Sequence, residues 1–244
     1  MTFAQEYYQI VTENLETIFN EESAKIQKVG KVLAEVIKND GLIYAFGCGH
    51  SHMIEEELFY RAGGLAPISP IFESSIMLHE GAVKSTQIER MSGYAQLVFD
   101  RYPVTKNDAF LIASTSGINP FPIEMAQAAK KVGAPVICIS SHNYLSKPSR
   151  QKEGLHLADV CDIAINNHVP VGDAAVEVRD DGTKSGPISS LALFFIVNSL
   201  MLSACDHLKQ WGIEPPVFMS GNCEGGDQFN ADHIKKFKNR IKHL

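Results

Sequence analysis

The feature that most constrains this chain is an alternation. Five short apolar runs, Leu42–Phe46, Ala66–Ile71, Ala109–Ala113, Val136–Ile139 and Ile163–Ile165, are separated by segments with helical spacing. Runs this short and apolar read as strands buried on both faces, and strands alternating with helices make parallel sheets with right-handed crossovers. The helical segments are His52–Ala62, Ser74–Leu78, Thr86–Asp100, Ile123–Val132 and the long Ile188–Trp211. Ahead of the first strand, Phe3–Ile37 carries Ile10, Leu15, Ile18, Ile26, Val29, Leu33 and Val36 at helix-like intervals. The expectation is an α/β fold: a doubly wound, three-layer, flavodoxin-like sandwich around a five-stranded parallel sheet. It divides into an N-terminal helical extension over 1–36, the α/β domain over 37–214, and a C-terminal tail and helix over 215–244. Ligands of such sheets sit outside the carboxyl ends of the strands. Chemistry therefore belongs in the loops that follow them.

Charge narrows the partners. The 244 residues carry 22 Lys and Arg against 28 Asp and Glu, a formal net charge of -6. A nucleic-acid binder needs a basic face, so no nucleic-acid partner is expected. The most apolar stretch, Leu191–Leu202, contains Asn198 and Ser199 and reads as a buried helix, so no membrane association is expected. Residues Met1–Ile10 include Gln5 and Glu6 and no basic segment, unlike a signal peptide. The five cysteines, Cys48, Cys138, Cys161, Cys205 and Cys223, are scattered without a C-x-x-C, which fits reduced thiols and a cytoplasmic location.

The loop after the first strand reads G-C-G-H-S-H, Gly47 to His52. Gly47 and Gly49 permit a tight turn and close backbone approach, and Ser51 places a hydroxyl where a helix offers free N–H groups to an anion. A dinucleotide site would also begin with Gly47 and Gly49, with Glu73 as its ribose acid, but His52 stands where the third glycine belongs. His50 and His52 have a spacing that can ligate zinc. No third ligand is evident, so neither a metal nor a cofactor is expected.

After the third strand the chain reads S-T-S-G-I-N-P, Ser114 to Pro120. Three successive hydroxyls, a glycine, then a proline at a helix start can converge on an anion with several acceptor oxygens, such as a phosphate monoester.

With these two loops in view, the chain resembles the sugar isomerase (SIS) domain proteins, and among them the phosphoheptose-isomerase-like group. G-C-G-H-S and S-T-S-G carry the resemblance, with the long helix from Ile188 and its central Asn198, over about Ile37 to Gly212. It implies a phosphorylated sugar as ligand, held by Ser51, Ser114, Thr115 and Ser116, in a homo-oligomer, a dimer or tetramer. Such loops usually carry Ser or Thr three residues after the last serine. Here that position is Asn119, which joins the candidate binding residues.

Aldose–ketose isomerisation through an enediol needs a general base and a second group for the oxygen proton. Glu55, Glu56 and Glu57 follow Ser51. At about 100° per residue, Glu55 falls within the apolar arc of Ile54, Leu58, Phe59 and Ala62, while its two neighbours fall outside. A carboxyl on a buried face has a raised pKa, so Glu55 is the candidate base. His52 and His79 are the candidate partners; some SIS isomerases carry a similar histidine after the second strand. Ser189 and Ser190 at the start of the long helix, and His168–Asp173 after the fifth strand, lie at the expected edge of the site.

The expected function is thus sugar-phosphate isomerisation. The alternatives are a phosphosugar sensor without catalysis and an amino-sugar-phosphate lyase or etherase.

Overall fold

The computed structural model describes residues 1–244. Its centre is a parallel sheet of β1 (Ile43–Gly47), β2 (Ile68–Pro70), β3 (Ala109–Ala113), β4 (Val136–Ser140) and β5 (Ile163–Asn166) in the order β2-β1-β3-β4-β5. Strand residues alternate between two cores. Ile43, Ala45, Leu111 and Ile137 face one side, and Tyr44, Phe46, Phe110 and Cys138 the other. The two cores contain 28 and 27 buried residues, so the sheet is the middle layer of three. This is the doubly wound architecture expected from the alternation.

The first core is covered by α1 (Phe3–Lys38), α2 (Met53–Leu58) and α7 (Ser189–Gln210). The second is covered by α4 (Tyr94–Phe99), α5 (Pro120–Val132) and α8 (Gly226–Phe237). Helix α1 is one uninterrupted helix, opened by a capping box between Thr2 and Gln5. Its buried Ile18, Ile26, Val29 and Leu33 belong to the same core as the sheet.

Helix α7 requires a correction. By length and composition it is able to cross a membrane, although no apolar run of that length stands out in the sequence. Here its apolarity is explained by packing: Ala192, Leu193, Ile196, Val197, Leu200 and Met201 are buried against α1 and the sheet.

Three local readings also change. The segment expected as one helix over Thr86–Asp100 is two, α3 (Ala82–Glu89) and α4, separated at Gly93, whose φ is +89°. The helix expected over His52–Ala62 is a 3-10 turn, Gly49–His52, and the short α2, which ends where Phe59 becomes extended. Between β5 and α7 lies an antiparallel hairpin, β6 (Ala174–Glu177) and β7 (Lys184–Pro187). Its connection carries Asp181-Gly182, a hairpin signal already present in the sequence. A four-residue helix, α6 (Leu157–Val160), completes the set.

Candidate functional site

The chain reverses its winding between β2 and β3, which lie on opposite sides of β1. That opens a crevice at the carboxyl ends of β1 and β3. A cleft of about 320 Å³ occupies it. Cys48, Gly49, His50 and Ser51 form one wall and Ser114, Thr115, Ser116 and Asn119 the opposite one. Glu89 from α3, Tyr144, and Asp173 with Ser189 at the start of α7 also line it.

The first wall depends on close backbone approach. A Cβ on Gly47 would lie 2.3 Å from the carbonyl oxygen of Ser51, so only glycine lets the loop fold back over the strand end. In the two loops, the N–H groups of Gly49, His50, Thr115 and Ser116 donate to no protein acceptor. In the second loop the Ser114 hydroxyl accepts the Gly117 N–H at 3.2 Å, and Thr115 Oγ1 accepts from Asn167 Nδ2 at 3.4 Å. The cleft therefore offers hydroxyls and unused backbone donors, and no Lys or Arg lines it. Donors of that kind suit an anion held by local dipoles inside an acidic protein.

The carboxylates divide differently from the sequence reading. Glu55 is fully buried and absent from the cleft lining. Its Oε1 accepts the Gly47 N–H at 2.7 Å, while Oε2 has no partner, and burial pushes its pKa well up. Glu89 does line the cleft. Burial raises its pKa too, opposed by the Asn119 amide, which donates to Oε1 at 2.8 Å, and by Arg90 and Arg150. Sequence reasoning missed Glu89, because no local signal marks it: its place on the cleft wall depends on α3 ending at Glu89 and on the contact with Asn119 of α5. Asp173 is committed to the α7 terminus, accepting from the N–H groups of Ile188 and Ser189 and from the Ser189 hydroxyl at 2.6 Å.

The histidines also separate. His50 lines the cleft, whereas His52 and His79 do not. Their rings meet edge to face at 5.3 Å between centroids, with His52 buried and His79 exposed. His52 Nδ1 is bonded to the Gly49 carbonyl, and Nε2 lies 3.3 Å from Glu56 Oε1. One ligand atom each from His52, Glu56 and His79 lies within 4.8 Å of the others, a set whose two imidazoles and carboxylate fit a divalent metal. The third ligand that His50 and His52 lacked is thus found for His52, and His50 is not part of the set. Glu73 is held by Arg101 at 2.8 Å and by Ser75, outside the cleft, which leaves the dinucleotide reading without its ribose acid.

A larger cleft of about 490 Å³ lies around Asp40 and Asp108 at the other end of the strands. Its charged groups are paired internally, Asp40 with Lys236 and Arg240, and Asp108 with Leu42 and Thr105.

Comparison with known proteins agrees with this fold. A family model described as the SIS domain matches residues 6–141. A UPF0309 protein of Geobacillus thermodenitrificans is 43% identical over 240 residues, covering 98% of this chain and 96% of that protein. Another, from Caldanaerobacter subterraneus, is 40% identical over 242 residues, covering 98% of each. Among solved structures, a phosphoheptose isomerase from Neisseria gonorrhoeae aligns with a TM-score of 0.56 at 17% identity, over 82% of this chain and 96% of that one. One from Francisella tularensis aligns at 0.52 and 15%, over 85% and 96%. At such identities the structural likeness speaks for the fold.

Proposed function

The chain belongs to the SIS-domain family, and from that premise we propose that it binds a phosphorylated sugar in this cleft and interconverts its aldose and ketose forms. The observation that carries the reading is a coincidence of position. The hydroxyls and unused N–H groups of both loops and a carboxyl of raised pKa, Glu89, share one cleft at the switch point of the sheet.

The phosphate sits between Ser51 and the Ser114–Ser116 loop. The sugar carbonyl end reaches toward Glu89. As a carboxylate, Glu89 takes the proton from the carbon beside the carbonyl. The C–H electrons form the enediol double bond as the carbonyl oxygen gains a proton. Return of the proton to the former carbonyl carbon, with loss of the proton from the neighbouring enediol hydroxyl as its C=O forms, gives the isomer. Glu89 replaces Glu55 in this role because it reaches the cleft. His50, the one imidazole lining the cleft, replaces His52 and His79 for the oxygen proton.

A homo-oligomer belongs to the same proposal. Leu191 and Leu202 on α7 and Phe19 on α1 are exposed, and a second copy is the partner that would cover them. The five unpaired cysteines support a cytoplasmic location.

The test is a thermal-shift screen against sugar phosphates, followed by NMR detection of interconversion. A ligand that raises the melting temperature and is isomerised, with turnover lost and binding retained in Glu89→Gln, is expected. Stabilisation by no sugar phosphate overturns the reading. Binding without turnover by the unaltered protein replaces it with the sensor.

A further inference from the structure

Asn119 occupies the N-cap of α5, yet its side chain makes no cap hydrogen bond. The local sequence removes one of the two usual donors. A capping side chain accepts from the second or third helical N–H. The helix begins Pro120-Phe121-Pro122, so its third position has no N–H to give. The amide is turned elsewhere. Its Nδ2 donates to Glu89 Oε1 at 2.8 Å, and its Oδ1 accepts from Arg150 Nη1 at 2.8 Å. This orientation is chemically forced, since a guanidinium only donates and a carboxylate only accepts. Asn119 is itself buried, while Arg150 is exposed.

We propose that Asn119 and Arg150 form a positioning pair for Glu89, so that Asn119 orients the acid–base group and does not grip the phosphate. The inference rests on Glu89 as the proton-transfer group. The Oδ1 and one of the two Nδ2 hydrogens are engaged in this relay, so the amide is held facing Glu89 and Arg150 and keeps a single hydrogen unused. The bond to Asn119 fixes the Glu89 carboxylate on the cleft wall. The N–H of the amide, backed by the Arg150 charge, favours the ionised carboxylate that a base requires. Burial works against it. The other titratable groups near Glu89 are Arg90 at the C-cap of its own helix, Cys48, and, lining the same cleft, His50, Tyr144 and Asp173.

The experiment uses the full chain with Asn119→Ala, Asn119→Ser and Arg150→Ala. The Glu89 carboxyl is titrated by NMR in protein labelled at glutamate, with Glu89→Gln to assign its signal. Binding of glucose 6-phosphate and of inorganic phosphate is measured by calorimetry. In Asn119→Ala the Glu89 midpoint is expected to rise by about one pH unit, a tenfold change in its proton affinity, with phosphate affinity kept within about threefold. The acid limb of kcat/KM moves upward with it. Arg150→Ala, at an exposed residue, gives a smaller rise in the same direction and carries the test if Asn119→Ala does not fold. An unchanged Glu89 midpoint in both variants overturns the proposal, as does a tenfold loss of phosphate affinity in Asn119→Ser. Should the unaltered protein isomerise no sugar phosphate, the functional reading fails on its own, and the titration still decides the pairing.

Discussion

Glu55 Oε1 accepts the backbone N–H of Gly47 at 2.7 Å, so a fully buried carboxyl closes the end of β1 from behind the glycine loop. Burial holds its pKa well above the ordinary 4.5. The unfolded chain therefore loses this proton at lower pH than the folded one, and the stability contributed by Glu55 falls as pH rises through that window. Glu55→Gln keeps an acceptor for Gly47 and cannot ionise. Urea melts from about pH 4 to 8 are expected to show the variant gaining on the parent as pH rises. Parallel curves would contradict a buried, protonated Glu55.

Glu89 is expected to behave oppositely in kinetics. Removing a positioned base typically costs about 10²–10⁴ in rate. Glu89→Gln should therefore reduce kcat by about that factor with KM nearly unchanged. An equal loss in Glu55→Gln at a pH where both variants are folded would return the role to Glu55.

The anion site is tested at its hydroxyls. Ser51→Ala and Ser116→Ala each remove a hydroxyl from opposite walls of the cleft. Hydrogen bonds to charged groups contribute about 1.5–3 kcal/mol, so each change should weaken sugar-phosphate binding about tenfold or more in calorimetry. Full affinity in both would move the phosphate out of this cleft.

The seam between α1 and α7 is tested at Gly30. A Cβ there would lie 2.1 Å from Ser203 Oγ and 2.8 Å from the Ser203 backbone carbon. The helices must part, and overpacking of this kind costs about 1–3 kcal/mol. Gly30→Ala should lower the melting temperature by several degrees, at about 2–4 °C per kcal/mol for a chain of this size. Better helix propensity would give a rise, if the seam had room.

Asp173 joins the cleft to α7. Its carboxylate accepts from the N–H groups of Ile188 and Ser189 and from the Ser189 hydroxyl. Asp173→Ala removes a cap, worth about 0.5–2 kcal/mol, and frees Ser189. Thermal melts should show that loss, and sugar-phosphate affinity should fall with it. Unchanged stability would mean that the hairpin alone holds the start of α7.

The strands were legible because each signal is local. Ile43, Tyr44, Ala45 and Phe46 are all buried, as a short apolar run ending in glycine predicts. The phase of Glu55 on α2 was legible for the same reason, since its place among Ile54 and Leu58 depends only on helical spacing. Helix α3 was less so. Its separation from α4 rests on one left-handed glycine, Gly93, whose N–H donates to the Glu124 carboxylate of α5.

The sequence by itself determined the alternation of strands and helices, the parallel sheet and the two loops at its carboxyl edge. Apolar periodicity and turn chemistry act over a few neighbouring residues and survive without knowledge of the rest. Which carboxyl reaches the cleft was decided only by the tertiary structure. Glu55 and Glu89 are both acids with raised pKa values, but one lies behind Gly47 and the other is drawn onto the wall by Asn119, 30 residues away in the chain. That choice depends on how α2, α3 and α5 pack around the strand ends. Burial is a property of the packed elements together, and no single segment carries it.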